Sequence, residues 1–414
     1  MRTTEVFTPN KLPVITFVDD HLKDKEKYLL ESLQAGPGVI SLSGPSKSGK
    51  TVFIEKTIGR DRLLQVTGAG IDSPKKLWDR VFDLIGTPSK VTEAAGSSAS
   101  GTIGVKAEAA VPLIAKAEVS AAATRGTAIT TTEEHVPDYL NLLIKELGNT
   151  KLVVFIDDFH YISRDIQTQL SQQIKEAVRG GVTFICASVP HHSDDVLRGN
   201  ADLRGRIFGI DFDYWDAPEL RKIADRGFDA LRVQVADAVL SALADEAAGS
   251  PQLMQSLCLN LCFEGGIDEG APSQTQFNCD LAFVRKVCIR TAASADYSST
   301  VAKMKDGPKT RGTSRAAHKL NDGSIRDVYP IVLFAVAANP PERTIRYANL
   351  QGRIASACTE GGPSGSSVTG ACAHMSDIAN DAENRVIVEW DVENEVLDIR
   401  DPYLLFFLRW GDWK

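Results

Sequence analysis

The stretch that decides the fold is Gly44-Pro-Ser-Lys-Ser-Gly-Lys-Thr51. It matches the pattern G-x-x-x-x-G-K-[ST] at every position. Glycines let the backbone wrap closely around phosphate oxygens, and the loop N–H groups form an anion site with the start of the next helix. We therefore predict that ATP binds here, with Lys50 at the β- and γ-phosphates and the Thr51 hydroxyl on Mg²⁺. The predicted phosphate-binding residues are Gly44, Pro45, Ser46, Lys47, Ser48, Gly49, Lys50 and Thr51.

The sequence on both sides of this loop has the pattern that such a loop requires. Residues 38–43 form a short apolar run that predicts a buried parallel strand, and residues 51–58 continue as a helix. Further strands, separated by helical patterns, are predicted at 63–66, 151–156, 182–187 and 207–210. Strands that alternate with helices predict a doubly wound parallel α/β sheet, here an ATPase core at 1–215.

One segment, 88–132, interrupts this alternation. It is rich in Ala, Gly, Ser and Thr and nearly lacks large side chains. Two loosely alternating runs, 102–110 and 114–122, flank Val111-Pro112, so we interpret the segment as an insertion that forms a long β-hairpin. A flexible linker is the alternative interpretation of such a composition.

A pair of acidic residues, Asp157-Asp158, ends the apolar strand at 151–156. This is the pattern of a Walker B strand, which we expect to lie beside the strand that precedes the phosphate loop. Asp157 is predicted to position the magnesium ion, and Asp158 is the candidate base that orients the attacking water. A helix N-cap or a solvated turn is the alternative interpretation of the pair.

Polar residues also flank the last two core strands. Ser188 follows the strand at 182–187, and the loop pair His191-His192 comes next, which we interpret as exposed side chains. Arg206, or in second place Arg204, precedes the last core strand. An arginine there can face the γ-phosphate of a neighbouring subunit and stabilise developing charge, although a plain surface arginine is the alternative.

The sequence after residue 215 divides into three parts. Residues 216–300 are mostly helical and predict a lid, in which Gly249-Ser-Pro251 opens a helix with no Lys or Arg in its first turns. Residues 301–326 are rich in basic side chains and predict a linker. Residues 327–414 have three helical patterns followed by a β-hairpin, which is the order of a winged helix.

These motifs resemble the AAA+ and STAND branch of P-loop ATPases, particularly the origin-recognition clade and the archaeal-type ATPases that end in a winged helix. The resemblance covers residues 15–265 well and the tail, with its closing stretch 401–410, more loosely. It implies that Ser188 senses the γ-phosphate and that Pro251, in a motif similar to the G-x-P of STAND lids, packs near the base. It also implies an ATP-gated switch that forms a homo-oligomer, with the nucleotide at a subunit interface.

Two departures from the family pattern bear on turnover. Asp158 stands where fast AAA+ motors commonly have Glu, so we expect slow hydrolysis. The arginine that the family's lids usually carry is missing, so we expect lid closure on ATP to work differently.

Composition narrows the class of protein. Of 414 residues, 43% are hydrophobic and 24% are charged, which is typical of a soluble chain with more than one domain. No apolar run reaches the ~18 residues that cross a bilayer, and the N-terminus lacks a secretory pattern, so we expect a cytoplasmic protein without membrane contact. The seven cysteines include no CxxC pair. Cys258 and Cys262, on one helix face, are interpreted as core thiols rather than metal ligands.

Partners are less determined by the sequence. The net charge of −8 argues against a dominant nucleic-acid surface. The basic stretch 303–326 fits DNA phosphates, a neighbouring subunit's nucleotide, or solvent alone. The helix at 366–380, which would read DNA in a winged helix, contains neither Lys nor Arg. A protein partner at 88–132 or at the winged helix is the other expectation.

Three functions follow as hypotheses. The first is an oligomeric ATPase switch, for which the domain layout suggests, by analogy, phage defence or another conflict system. The second is a DNA-binding ATPase of the initiator or transposition-helper type, whose DNA contacts depend on Arg311 and Arg315. The third is a scaffold held together by nucleotide, with negligible turnover.

Overall fold

The computed structural model describes residues 1–87, 138–189, 206–309, 312, 314–359, 361–383 and 385–413. The insertion predicted at 88–132 lies outside these residues, as do His191-His192, Arg204 and Arg311. What was predicted for them therefore stays a prediction.

Five parallel strands form the central sheet, in the order β2-β3-β4-β1-β5. They are β1 (Val39–Ser43), β2 (Leu63–Thr67), β3 (Val153–Asp157), β4 (Thr183–Ser188) and β5 (Ile207–Asp211). The doubly wound parallel sheet predicted from the sequence is thereby confirmed. The expectation that the strand ending in Asp157 lies beside β1 is wrong, because β4 pairs with both and separates them. The connection from β1 to β2 passes two positions of the sheet, which β3 and β4 then fill, so order in the sequence does not fix order in space.

Helices cover both faces of this sheet. They are α2 (Lys23–Gln34), α3 (Lys50–Ile58), α4 (Pro74–Ile85), α5 (Tyr139–Leu147) and α6 (Arg164–Arg179), whereas the short helix α1 (Thr3–Val6) packs against the lid. Side chains of a strand alternate between faces, so Val154 and Ile156 pack with Trp78 of α4, whereas Phe155 packs with Phe53 of α3. The central strands are therefore buried on both sides, and their carboxyl ends form one edge, where the phosphate loop lies.

The lid consists of α7 (Ala217–Leu231), α8 (Asp237–Glu246), α9 (Pro251–Glu264) and α10 (Leu281–Ala292). Two short parallel strands, β6 (Val233–Val235) and β7 (Thr275–Phe277), interrupt the helical pattern expected from the sequence. Val6 and Phe7 from the N-terminal segment are buried in the lid core. The N-terminal segment consequently passes between the sheet and the lid on its way to α2.

The C-terminal part has its own core, to which nearly all of its helices contribute. Its elements are α11 (Ser298–Asp306), β8 (His318–Lys319), β9 (Ile325–Arg326), α12 (Val328–Val336), β10 (Thr344–Arg346), α13 (Tyr347–Ala357), α14 (Gly365–Glu383), β11 (Val388–Asp391), β12 (Val396–Ile399) and α15 (Pro402–Trp410). Strands β10, β12 and β11 form an antiparallel sheet in that order. This arrangement is consistent with the winged helix predicted from the sequence.

The stretch predicted as a basic linker, 301–326, differs from that expectation. Tyr297, Val301 and Met304 recur at helical spacing and are buried in the C-terminal core, so α11 is a packed helix. Lys303 is exposed and Lys305 is half-buried, and these lysines gave the sequence its linker-like composition. Among the described residues, no helix combines the length and the apolar character needed to cross a membrane.

Candidate nucleotide-binding site

The phosphate loop connects the end of β1 to the start of α3. Lys47 and Gly49 have φ angles of 61° and 95°, and this left-handed backbone turns the loop back on itself. Gly44 lies against Phe212, where a Cβ would come within 2.5 Å of the Phe212 Cβ. The first glycine of the motif is therefore required by packing as well as by phosphate approach.

Lys50 lies inside this loop. Its Nζ donates hydrogen bonds to the carbonyl oxygens of Gly44 at 2.7 Å and Pro45 at 2.6 Å. Burial lowers the pKa of Lys50 to about 8, against the opposing effect of Asp157 and Asp158. An incoming phosphate would supply a negatively charged partner for this half-buried ammonium group.

Thr51 and Asp157 meet at the edge of the sheet. The Thr51 hydroxyl donates to Oδ2 of Asp157 at 2.6 Å. A hydroxyl and a carboxylate side by side, open to the same cavity, are a hard-oxygen donor set that suits Mg²⁺. The residues present thus fit the predicted magnesium site, in which both side chains would be ligands.

Asp158 adopts an unusual backbone conformation directly after β3, with φ of 55°. Its side chain makes no capping hydrogen bond to the short helix that follows, so the alternative of a helix cap does not describe it. Burial and the charge of Asp157 raise the pKa of Asp158, while Lys50 and Arg385 oppose this. The lack of a side chain at Gly68 leaves room for the Asp158 carbonyl, where a Cβ would come within 2.5 Å of that oxygen.

Ser188 ends β4, between the strands that carry the two motifs. Its side chain is buried and its Oγ lies 3.5 Å from the carbonyl oxygen of Leu42. Its own carbonyl accepts a hydrogen bond from the N–H of Gly44 at 3.2 Å. Ser188 lines the same cavity as Lys50 and Asp158, and its role as a sensor of the γ-phosphate stays a prediction.

The lid contacts the phosphate loop directly. A Cβ added to Gly49 would lie 3.8 Å from Cγ of Pro251, and the Ser250 Oγ lies 3.5 Å from the carbonyl oxygen of Lys47. Trp215, which the sequence analysis missed, donates from Nε1 to the Ser48 carbonyl oxygen at 3.0 Å. Its position just before α7 carries no motif that could have marked it.

A cavity of about 560 Å³ joins these groups. Opposite the phosphate loop it is lined by the N-terminal residues 8–13 and 16–18 and by Gln252 and Gln255 of the lid. Thr8 Oγ1 is buried there and has no hydrogen-bond partner among the described residues, while the Thr8 N–H donates to Gln255 at 3.1 Å. The size and mixed lining are those of a small-molecule site, and an unpaired buried hydroxyl is a ready contact for a ligand.

Arg206 lies at the other end of the sheet. Its carbonyl oxygen accepts from the N–H of Val39, where β1 begins, whereas the phosphate loop follows Ser43, where β1 ends. The length of β1 separates the two, roughly 15 Å at the usual rise per strand residue. Arg206 is exposed and lies far from the phosphate loop of its own chain.

The C-terminal part also reaches the phosphate loop, which no sequence pattern indicated. Nζ of Lys47 lies 3.6 Å from Oδ2 of Asp401 and 3.9 Å from the ring centre of Tyr403. Arg385 lines the nucleotide cavity. These residues precede and open α15, and only the docking of the C-terminal part brings them to the site.

Cys258 and Cys262 are buried in the lid core, in agreement with their interpretation as core thiols. Within the described ranges, no group of three metal-ligating side chains includes them.

Comparison with known proteins found similar structures but no matching sequence. No protein-family model and no curated protein matches the sequence. The structure is similar to the Walker-type ATPase PABY2304 of Pyrococcus abyssi, at 13% identity over 94% of this chain and 95% of that chain, with a TM-score of 0.47. It is also similar to the ORC2 protein of Aeropyrum pernix in its ADPNP–ADP complexes, at 12% identity over 98% and 96% of the two chains, with a TM-score of 0.49. The ORC1 protein of Aeropyrum pernix, solved with DNA, matches at 12% identity over 99% and 96%, with a TM-score of 0.46. The chain is thus similar in structure to proteins of the origin-recognition class that its sequence resembles.

Proposed function

We propose that this chain is an ATPase that turns over slowly and acts as a nucleotide-dependent switch, assembling into a homo-oligomer through its nucleotide site. The observation that carries the proposal is the convergence of Lys50, Thr51, Asp157 and Asp158 on one cavity. A half-buried lysine, a hydroxyl and two carboxylates are groups that serve phosphoryl transfer to water.

Each residue has a distinct task in this proposal. Lys50 exchanges its carbonyl partners for phosphate oxygens, and Thr51 and Asp157 hold the magnesium ion. When bound, that ion would neutralise the charge that develops on the phosphates. Asp158 accepts a proton from the attacking water. Its side chain is one carbon shorter than Glu, so its carboxylate reaches less far toward that water, in keeping with slow turnover.

The position of Arg206 supports the proposal that assembly is part of the function. It is exposed at the edge of the sheet remote from its own phosphate loop, so it serves catalysis only if it contacts a neighbour. A guanidinium group supplied by a neighbour would stabilise the transferred phosphoryl group and link turnover to assembly.

Size-exclusion chromatography with light scattering tests this proposal. We compare wild type and Lys50→Ala without nucleotide and with ATP and Mg²⁺. The expected result is a larger species for wild type with ATP only. Unchanged mass, together with measurable phosphate release, would leave a monomeric or permanently assembled ATPase. Tight ATP binding with the same phosphate release in wild type and Asp158→Asn would favour the scaffold hypothesis.

DNA binding is a second candidate, because Lys303, Lys309 and Lys319 are exposed near one another in the sequence. Arg315, by contrast, is engaged internally by Asp327 at 2.8 Å and by the carbonyl oxygen of Asp306 at 2.7 Å. A DNA contact through 303–326 would therefore depend on the lysines more than on Arg315. Salt-sensitive DNA binding that the triple Lys→Ala variant loses would support this candidate; equal binding by the variant would exclude it.

We further propose that the switch acts in phage defence, and this part of the proposal rests on the domain layout alone. Cells that express wild type should survive phage challenge better than cells that express Lys50→Ala. Equal survival over a panel of phages would contradict it.

A further inference from the structure

A buried carboxylate joins the phosphate loop to the C-terminal part. The Asp401 side chain is 1% exposed, and its Oδ2 lies 2.8 Å from Nη2 of Arg385 and 3.6 Å from Nζ of Lys47. The Tyr297 hydroxyl donates to the same oxygen at 2.9 Å, and Oδ1 accepts from the Tyr403 N–H at 2.8 Å. Burying a carboxylate is costly unless it is paired, so both cations are needed to hold Asp401 there.

Lys47 is the member of this cluster that belongs to the phosphate loop. Its ammonium group lies over the Tyr403 ring and beside Asp401. Burial lowers the pKa of Lys47, and Asp401 opposes that shift. The loop is therefore tied to α15 through a single, partly desolvated charge.

Arg385 connects the cluster to the cavity. Its Nη2 makes the contacts with Asp401 and with the Tyr297 hydroxyl, at 2.8 and 2.7 Å. A guanidinium group has five donors, and Arg385 also makes a side-chain hydrogen bond to Tyr161, so two donors remain for a further partner. Arg385 lines the nucleotide cavity, and it lies close enough to Asp158 and Tyr161 to oppose the rise in pKa of both.

Among the described residues, no Lys or Arg of the lid lines this cavity, and α9 contains neither. We propose that Arg385 binds the terminal phosphate of ATP in its own chain, and that Asp401 is a positioning residue that holds it there. This inference rests on the proposed ATP site. A C-terminal part that supplies a phosphate ligand completes the site only when docked, so ATP binding and docking favour each other.

Nucleotide binding by three matched variants tests the proposal. Arg385→Ala removes the ligand, Arg385→Lys keeps a charge, and Arg346→Ala removes an exposed arginine of the same C-terminal part as a control. We expect Arg385→Ala to weaken ATP binding about tenfold and ADP binding much less, as loss of one charged hydrogen bond to the terminal phosphate would do. Arg385→Lys should recover part of the loss, and Arg346→Ala should match wild type.

Asp401→Asn separates positioning from folding. Asparagine keeps the shape but not the charge, so the ratio of ATP to ADP affinity should fall in the same direction as in Arg385→Ala. Melting temperatures identify any variant that loses affinity only through unfolding. If Arg385→Ala is such a variant, Arg385→Gln replaces it.

Hydrogen exchange at residues 385–388 gives an independent measure of docking. ATP should slow exchange there in wild type but not in Lys50→Ala. If Arg385→Ala binds ATP and ADP with the same affinities as Arg346→Ala does, the inference is overturned, while the ATP site remains intact. Absence of ATP binding by wild type would instead overturn the proposed function.

Discussion

The hydroxyl of Thr51 donates a 2.6 Å hydrogen bond to Oδ2 of Asp157, which joins the first helix after the phosphate loop to the end of β3. β3 is two strands away from β1, so this bond crosses over the end of β4. Both side chains could serve as ligands of a magnesium ion at this carboxyl edge of the sheet.

Thr51→Ala should weaken ATP binding about tenfold when Mg²⁺ is present and much less when it is chelated, because the variant loses one metal ligand. Thr51→Ser keeps the hydroxyl and is the matched control, with binding near that of wild type. Titration calorimetry with and without EDTA measures both. The same dependence on Mg²⁺ in Thr51→Ala and wild type would contradict a role for Thr51 in metal binding.

Asp158→Asn should slow phosphate release on the order of a hundredfold while ATP binding persists, because the amide cannot accept the proton of water. Asparagine tolerates the left-handed backbone of this position, with φ of 55°, so the fold should be kept.

A base works only when deprotonated, and the pKa of Asp158 is raised by its burial and by Asp157. Wild-type turnover should therefore fall with acidification at a higher pH than an ordinary carboxyl would give. A rate profile of Asp158→Asn with the same acid limb would assign that limb to another group.

ATP binding should take up a proton at alkaline pH. Lys50 has a pKa of about 8 in the ligand-free loop, so above that pH most molecules carry it neutral. Bound phosphates favour the ammonium form, so its pKa rises on binding. Calorimetry in buffers of different ionisation enthalpy should then find uptake approaching about one proton at pH 9 and almost none at pH 7.

Lys50→Arg is the control for this titration, because a guanidinium group stays charged throughout the range. The variant should show no pH-dependent uptake at whatever affinity it retains. Equal uptake at pH 7 and pH 9 in wild type would show that Lys50 is already charged in the free loop.

Mixing two inactive variants should restore turnover if Arg206 acts in a neighbouring subunit. Arg206→Ala keeps a complete nucleotide cavity, and Lys50→Ala keeps Arg206. The mixture should release phosphate at least about tenfold faster than the sum of the two alone, since an arginine supplied in trans has large effects on phosphoryl transfer. The control is a mixture of Arg206→Ala with the double variant Lys50→Ala/Arg206→Ala. This mixture contains no Arg206 and should stay inactive. Full activity of Arg206→Ala by itself would make it a plain surface arginine.

The part of the site that could be predicted lies within contiguous stretches of sequence. The phosphate loop and Asp157-Asp158 follow apolar strands, and parallel strands bring their carboxyl ends to one edge, so Lys50 and Asp158 were expected to meet. Strand order was not predictable, because several crossovers satisfy the same pattern. The sequence did not predict that Trp215 and Arg385 belong to the site, because their positions depend on how the lid and the C-terminal part dock. Local periodicity contains no information about that docking. The helix α11 was not predicted for a different reason. Its lysines suggested a linker, although Val301 and Met304 have helical spacing.

The ion pair between Lys47 and Asp401 spans nearly the whole described sequence. Because a ribosome makes the N-terminal part first, the sheet and phosphate loop can fold while the partner of Lys47 has yet to be translated. During that interval the loop has no C-terminal cover, and Lys47 is available to whatever anion reaches it. The nascent chain thus has an opportunity to acquire its nucleotide before α15 is made, and synthesis of that segment then supplies the partner of Lys47.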